Sequence, residues 1–237
     1  MLWFLMDYWY IVLVLPAVIF SVWANVHVNS TFERYAKKLS LRGMTGAEAA
    51  KRVLESNGVH GVDVQRTGGH LTDHYDPRKK TIFLSDSVYA STSCAAIGVA
   101  AHEAGHAVQY AKHYAPVHIR AAIIPITNIG SRLAFPLILL GLVLMSFAES
   151  YIIVAYIGVA CFGLSTLFQL VTLPTEFNAS RRAIVAIDNC GLLDGEEIKG
   201  AKRVLTAAAM TYVAALAVSL AQLLRLLLIV SGRSRRR

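Results

Sequence analysis

His102 and His106 stand four residues apart in the stretch AAHEAGHAVQ (residues 100–109), with Glu103 directly after the first. On a helix, positions i and i+4 project from one face, so the two imidazoles lie side by side. Neutral imidazoles so placed can supply two ligands of a tetrahedral Zn²⁺, with bonds of about 2.0–2.1 Å. Glu103 then leans over the open coordination position as a general base. Zinc brings the pKa of its water close to neutrality, and a carboxylate within reach takes the proton as that water attacks a carbonyl. Ala104 and Gly105 are small enough to let another segment or a substrate approach. The competing reading is a core helix whose polar residues satisfy one another. A lone histidine would suit it, but a whole H-E-x-x-H on an Ala- and Gly-rich helix that follows a strand favours the metal.

A catalytic zinc bound by two histidines takes a third protein ligand and keeps one position open. His74, Asp76, His113, His118 and Glu176 are the candidates. His113 and His118 lie near or just beyond the end of the motif helix and would have to reach back. Glu176 fits better, because TEFNAS follows an apolar block and can open a second helix whose carboxylate faces the histidines. The bland alternative for Glu176 is a carboxylate favoured by the dipole of a helix N-terminus. A ligand there requires the apolar blocks between residues 119 and 173 to form a hairpin, and the short AES at 148–150 suits its turn.

The elements that must hold these residues follow from composition and pattern. Of 237 residues, 55% are hydrophobic and 16% charged, against roughly 25% charged in soluble domains. Four apolar blocks, at about 2–24, 119–147, 151–173 and 205–230, are long enough for a hydrocarbon core about 30 Å thick. The first lacks a basic leader, contains Asp7 and exceeds a signal-peptide core, so it reads as a retained anchor. In the polar region 25–118, TGAEAAKRVLESNG reads as a helix with Thr45 as N-cap, Glu48 completing a capping box and Gly58 as stop. VDVQR alternates like a half-buried strand. DHYDPRKKTIFLS reads as a turn around Asp76 and Pro77, then a strand over 81–84. Residues 88–110 form the Ala-rich motif helix. In the second polar stretch, Pro174 either ends a span or sits in the first turn of a new helix, and Asp194 is an N-cap.

The expected fold is therefore mainly α: a multi-pass membrane protein with about four transmembrane helices and a small α+β zincin-like region carrying the HExxH helix. Its parts are an anchor (1–24), the α+β catalytic region (25–118), a transmembrane hairpin (119–173), a third-ligand segment and connector (174–204), and a transmembrane helix with a basic tail (205–237).

HEAGHAVQ, LPTEFNAS, the apolar blocks and EEIKGAKRVLTAAAMTYVAAL together resemble the membrane-bound neutral zinc metallopeptidase family (YugP-like), over nearly the whole chain. More distantly the chain is similar to the HtpX and CAAX prenyl-protease group of gluzincins, which use H-E-x-x-H and a downstream E-x-x-A-D. The resemblance implies His102, His106 and Glu176 as ligands of one Zn²⁺ per chain and Glu103 as base. Ser180 stands where the distant group has Asp, so another group would have to orient a ligand histidine. Gluzincins commonly bind substrate as an added strand near the zinc, which points to Ile82 and Phe83 in KKTIFLS, beside the reading of an ordinary packing strand. His74 and Tyr75 are candidate donors to the oxyanion, although turn chemistry also explains them.

The implied activity is that of a membrane-embedded zinc metalloendopeptidase, a hydrolase acting on peptides or proteins beside the bilayer. The alternatives are an inactive zinc-bearing scaffold, disfavoured because zinc binding alone does not call for Glu103, and an intramembrane site-2-type protease suggested by LLDG at 192–195. The charges of EEIKGAKR directly after LLDG do not suit membrane depth. Only Gln222 and Arg225 would line a transport path, which leaves a channel poorly supported. Arg225 implies that the fourth block is tilted, buried against other helices, or not a simple span. The net charge of +8 belongs to span-flanking loops rather than to a nucleic-acid site. The three cysteines show no ligand-like spacing. Assembly into a homo-oligomer is left open. Arg34, Lys37, Lys38, Arg42 and the cations of 181–203 favour a cytoplasmic catalytic face, against which the tail GRSRRR argues if the fourth block crosses.

Overall fold

The structure, a computed structural model, describes residues 8–234. The start of the first apolar block, with Asp7, and the last three arginines of the basic tail lie outside the described residues. The chain is mainly helical, and its helices and strands fall into two compact units. A π-helical turn over Tyr10–Val14 leads into α1 (Leu15–Ala36), followed by α2 (Gly46–Ser56), β1 (Asp63–Thr67), β2 (His74–Asp76), β3 (Thr81–Ser85) and α3 (Cys94–Ala111). Three long helices complete it: α4 (Ala115–Leu144), α5 (Ile152–Asn189) and α6 (Gly195–Ser234). Four helical segments, Tyr10–Ala36, Ala115–Leu144, Glu149–Asn189 and Gly195–Gly232, are long and apolar enough to cross a membrane.

The first unit comprises residues up to 23, 119–173 and those from 212 onward. Small residues set how closely α4 and α5 approach, as is common where apolar helices pack without water. A Cβ on Gly141 would overlap the Ala155 backbone, and one on Gly158 would meet the Ala134 carbonyl oxygen at 2.7 Å. Ile138, Ala155, Val159, Leu226 and Val230 form the unit's core. Ile126, Ile129, Val143 and Ile153 face outward. Arg225 is buried, with its guanidinium over the Tyr10 ring and within hydrogen-bond reach of Gln222 Oε1. Of the three readings of that arginine, burial against other groups is the one found.

The second unit holds residues 24–118 and 174–211. Its sheet has the order β1-β3-β2, with β1 parallel to β3 (Val64 opposite Ile82) and β2 antiparallel to it (Tyr75 opposite Ile82). The capping box forms as the sequence predicts: Thr45 accepts from the Glu48 amide, and Glu48 accepts from the Thr45 amide at 2.8 Å. The turn around Asp76 and Pro77 forms as expected, with Asp76 Oδ1 accepting from the Arg78 amide at 2.8 Å. A short strand over 74–76 precedes it, where Asp73 accepts from the Ser85 amide (2.7 Å) and hydroxyl (2.9 Å) and aligns the segment with β3, so His74 and Tyr75 are strand rather than turn residues. One boundary is also corrected. The motif helix starts at Cys94 rather than residue 88, because the Ser93 hydroxyl caps the Ala96 amide at 3.2 Å.

α3 is the centre of this unit. Ala95, Ala96, Ile97, Ala100, Ala101, Ala104, Ala107 and Val108 are all buried, so apolar contact surrounds the helix. Two glycines admit its neighbours. A Cβ on Gly98 would lie 3.1 Å from the Ala201 methyl of α6, and one on Gly105 only 2.8 Å from the Ala179 carbonyl oxygen of α5. α5 itself continues unbroken through Pro174. The proline neither ends a helix nor begins one, and TEFNAS lies inside a 38-residue helix.

Candidate metal centre

The close crossing of α3 and α5 at Gly105 and Ala179 places Glu176, about one turn earlier on α5, against the histidine face of α3. The Nε2 atoms of His102 and His106 are 3.1 Å apart. Glu176 Oε2 lies 3.3 Å from the first and 3.4 Å from the second. The two rings meet nearly edge to face, at 87°. Four ligands around a zinc with bonds of about 2.0–2.1 Å are separated from one another by about 3.3 Å. The three observed edges match that figure, so the donor set and its spacing fit one tetrahedral ion with a fourth position left over. The His102 and His106 side chains keep 13% and 12% of their surface exposed, against 3% for Glu176. The cluster is therefore reached from the histidine side.

Glu103 stays out of that triangle but beside it, buried next to His102 on α3. Burial pushes its carboxyl above the usual carboxylate range, against the pull of the His102 and His106 imidazoles. Burial works against a charged His106, yet the hydrogen bond to Glu176 and the nearby Glu103 charge outweigh it and raise that imidazole above its ordinary value.

Both imidazoles are held from behind. Ser180 Oγ lies 3.1 Å from His102 Nδ1. The expectation that a different group must orient this ring is thus corrected: the serine at the unusual position does so itself. On His106, Nδ1 lies 3.0 Å from Gln109 Oε1. The Gln109 amide nitrogen donates to the Thr175 carbonyl (2.7 Å) and to Asn178 Oδ1 (3.1 Å), which also accepts from Arg182 Nε (2.7 Å). Sequence reasoning missed Gln109 and Asn178. The signal was there for Gln109, a polar residue three positions after His106 on an otherwise apolar helix.

The remaining candidates lie outside the triangle. His113 and His118 stack on one another, and His118 also packs edge-on against Tyr110. Asp76 caps its turn. Ile82 is wholly buried, and β3, which carries Ile82 and Phe83, is the middle strand, so its backbone is paired on both sides and cannot accept an added strand. Open edges belong to β1 and β2. On β2, His74 stacks over Phe83, and the Tyr75 ring leans toward Tyr110 of α3, with burial raising its hydroxyl pKa.

Two histidines and a glutamate brought together by a H-E-x-x-H helix and a crossing helix, in a chain with four membrane-length helices, define the kind of site a membrane-associated metallopeptidase uses. Residues 10–231 match the model of the family described as "Putative neutral zinc metallopeptidase", and the chain belongs to that family. It is 44% identical over 225 residues to the "Putative membrane protease YugP" of Bacillus subtilis (strain 168), an alignment that covers 94% of this chain and 98% of that protein. No solved structure matches it.

Proposed function

We propose that the chain is a multi-pass membrane zinc metalloendopeptidase that hydrolyses peptide bonds in proteins or peptides at the membrane surface. The observation that carries this reading is the triangle of Nε2, Nε2 and Oε2 with edges of 3.1, 3.3 and 3.4 Å, which is the spacing of three ligands on one zinc. His102, His106 and Glu176 hold the ion. Once bound, zinc supplies Lewis acidity, acidifying a water and polarising a carbonyl oxygen. Glu103 takes the proton from the attacking water and returns it to the leaving amine. Ser180 and Gln109 keep the two imidazoles turned so that Nε2 is the ligand atom. An extended substrate lies along the edge of β2, the short strand beside α3, with Tyr75 near the reacting carbonyl. Arg34, Lys37, Lys38 and Arg42, with the cations of residues 181–203, support a cytoplasmic face for the site.

The test compares detergent-purified wild type with Glu103→Gln at verified, equal zinc content, using casein as an unstructured substrate. Cleavage by wild type alone supports the reading. Equal cleavage by both removes Glu103 from the mechanism. Cleavage by neither favours a zinc-bearing scaffold.

A further inference from the structure

α1 and α6 run alongside one another in the second unit, and between them lies a cleft of about 420 Å³. The two helices meet where Gly200 faces the Tyr35 ring, and where the Arg203 guanidinium donates to the Tyr35 hydroxyl at 2.7 Å. From that contact, the α1 wall runs back through Thr31 to His27, and the α6 wall runs forward through Ala207 to Met210. Eight residues of α1 cover about 12 Å and seven of α6 about 10 Å, so the two walls keep pace. Chemistry changes along that length. Arg34, Lys199, Lys202 and Arg203 line one end; Thr206, Ala207 and Met210 line the other, from which α6 continues into its long apolar run. None of the ten lining residues is acidic. Lys199 is held by Glu196 at 2.6 Å and Arg203 by Tyr35, while Arg34 and Lys202 are exposed at the mouth.

A cleft that is cationic at one end and carries Ala207 and Met210 among His27, Thr31 and Thr206 at the other, between two membrane-length helices, fits a molecule with an anionic head and an apolar body. We propose that this cleft binds the phosphate headgroup of an anionic phospholipid, with the start of its acyl chains along Thr206, Ala207 and Met210. The chemistry recognised is a phosphate anion, and the source is a lipid rather than a soluble phosphate, because Ala207 and Met210 beyond the cations offer apolar contact that an acyl chain uses and a free anion does not. Basic pockets between spans are suited to such headgroups. The proposal rests on reading α1 and α6 as spans, which recovery of the protein in the membrane fraction tests separately.

Detergent-purified full-length protein is offered equal phosphatidylglycerol and phosphatidylcholine of identical acyl chains, and retained lipid is measured by native mass spectrometry. Wild type is expected to retain phosphatidylglycerol preferentially. Arg34→Gln with Lys202→Gln should lower that retention about five-fold per cation. Lys51→Gln with Arg52→Gln, which removes the same charge from exposed positions on α2, should leave it unchanged. Equal loss in both pairs, or no headgroup preference in wild type, overturns the site. Glycerol phosphate or inorganic phosphate displacing the lipid at comparable concentration overturns the lipid as its source. A thermal midpoint of wild type raised by phosphatidylglycerol over phosphatidylcholine supports the site without any variant, and equal midpoints count against it.

Discussion

Gln109 fixes the orientation of His106 through an amide that has only one way to face. Its Nε2 donates to the Thr175 carbonyl at 2.7 Å, and a carbonyl only accepts. Its Oε1 must therefore point at His106 Nδ1, 3.0 Å away, and that nitrogen must carry a proton. Nε2 is left as the atom facing His102 and Glu176. The same amide joins α3 to the α5 backbone one residue before Glu176. A single side chain thus sets the tautomer of one donor and the placement of another. Gln109→Leu is expected to weaken zinc binding about 10–100-fold, read by competition with a chelator. Gln109→Glu keeps an acceptor for His106 but loses the donor to Thr175, and should fall between. Wild-type affinity in the leucine variant would refute the locking role.

Ser180 Oγ contacts His102 Nδ1 at 3.1 Å and holds the ring as Gln109 holds that of His106, but a hydroxyl can donate or accept and so leaves the tautomer to the metal. Ser180→Ala should lower zinc affinity about 10-fold. Ser180→Asp puts a charged acceptor behind the same ring, and charge-assisted bonds are roughly twice as strong as neutral ones. It should therefore bind zinc more tightly than wild type. If alanine and aspartate bind alike, the serine does not orient the ring.

Gly105 permits the crossing on which the triangle depends. A methyl there would sit 2.8 Å from a backbone oxygen of α5, which cannot swing aside as a side chain can. Gly105→Ala should cost about 1–3 kcal/mol of stability and also reduce zinc occupancy, since α5 carries Glu176. Gly163→Ala, on the same α5 but with nothing within 4 Å of its Cβ, should lose neither. Thermal unfolding and zinc content of both variants decide the matter.

Glu48 gives the second unit a pH-sensitive helix end. Hydrogen bonds from the Thr45 amide and hydroxyl hold its carboxyl below the usual range. A depressed folded pKa means that the contribution is complete above the unfolded pKa and is lost as pH falls through the folded one. Protection of the first-turn amides of α2, measured as exchange relative to the intrinsic rate at each pH, should fall on acidification. Glu48→Gln should abolish that pH dependence; if it persists, the capping box is not its source.

What the sequence made legible was local. The histidine pair depends on a four-residue spacing that any helix honours, and the Thr45 cap on a three-residue one. Glu176 stood out as the carboxylate following an apolar block. What escaped depended on partners far along the chain. Pro174 reads as a breaker because it lacks an amide hydrogen, yet α5 continues, with the Gln109 bond to Thr175 and the Ala179 contact holding the segment from outside. β2 is three residues long and exists through Asp73 and Ser85, twelve positions apart. The apolar pattern before α3 extends back to residue 88, and the Ser93 cap, with backbone bonds from residues 91–94 to distant residues 38–46, stops it. The central place of β3, and with it the loss of Ile82 and Phe83 as an open edge, is a matter of sheet order that no single strand encodes.

Removing the metal should loosen the structure where these long-range contacts meet. Two imidazole nitrogens and a carboxylate oxygen lie within 3.4 Å of one another in a largely buried place. Without a cation there, a shared proton is the means of holding them together, and burial opposes the charge that proton brings. A ligand bound only by the folded state stabilises it by about 4 kcal/mol at 1,000 times its dissociation constant. Chelation should therefore lower the thermal midpoint and quicken hydrogen exchange around residues 102–109 and 174–182, and added zinc should reverse both. Glu103→Gln should respond as wild type does, because its carboxylate lies outside the triangle, whereas Glu176→Ala should lose the response. A Glu176→Ala protein that still binds zinc and still gains stability from it would show that the ion sits elsewhere and that the triangle is only a polar contact between α3 and α5.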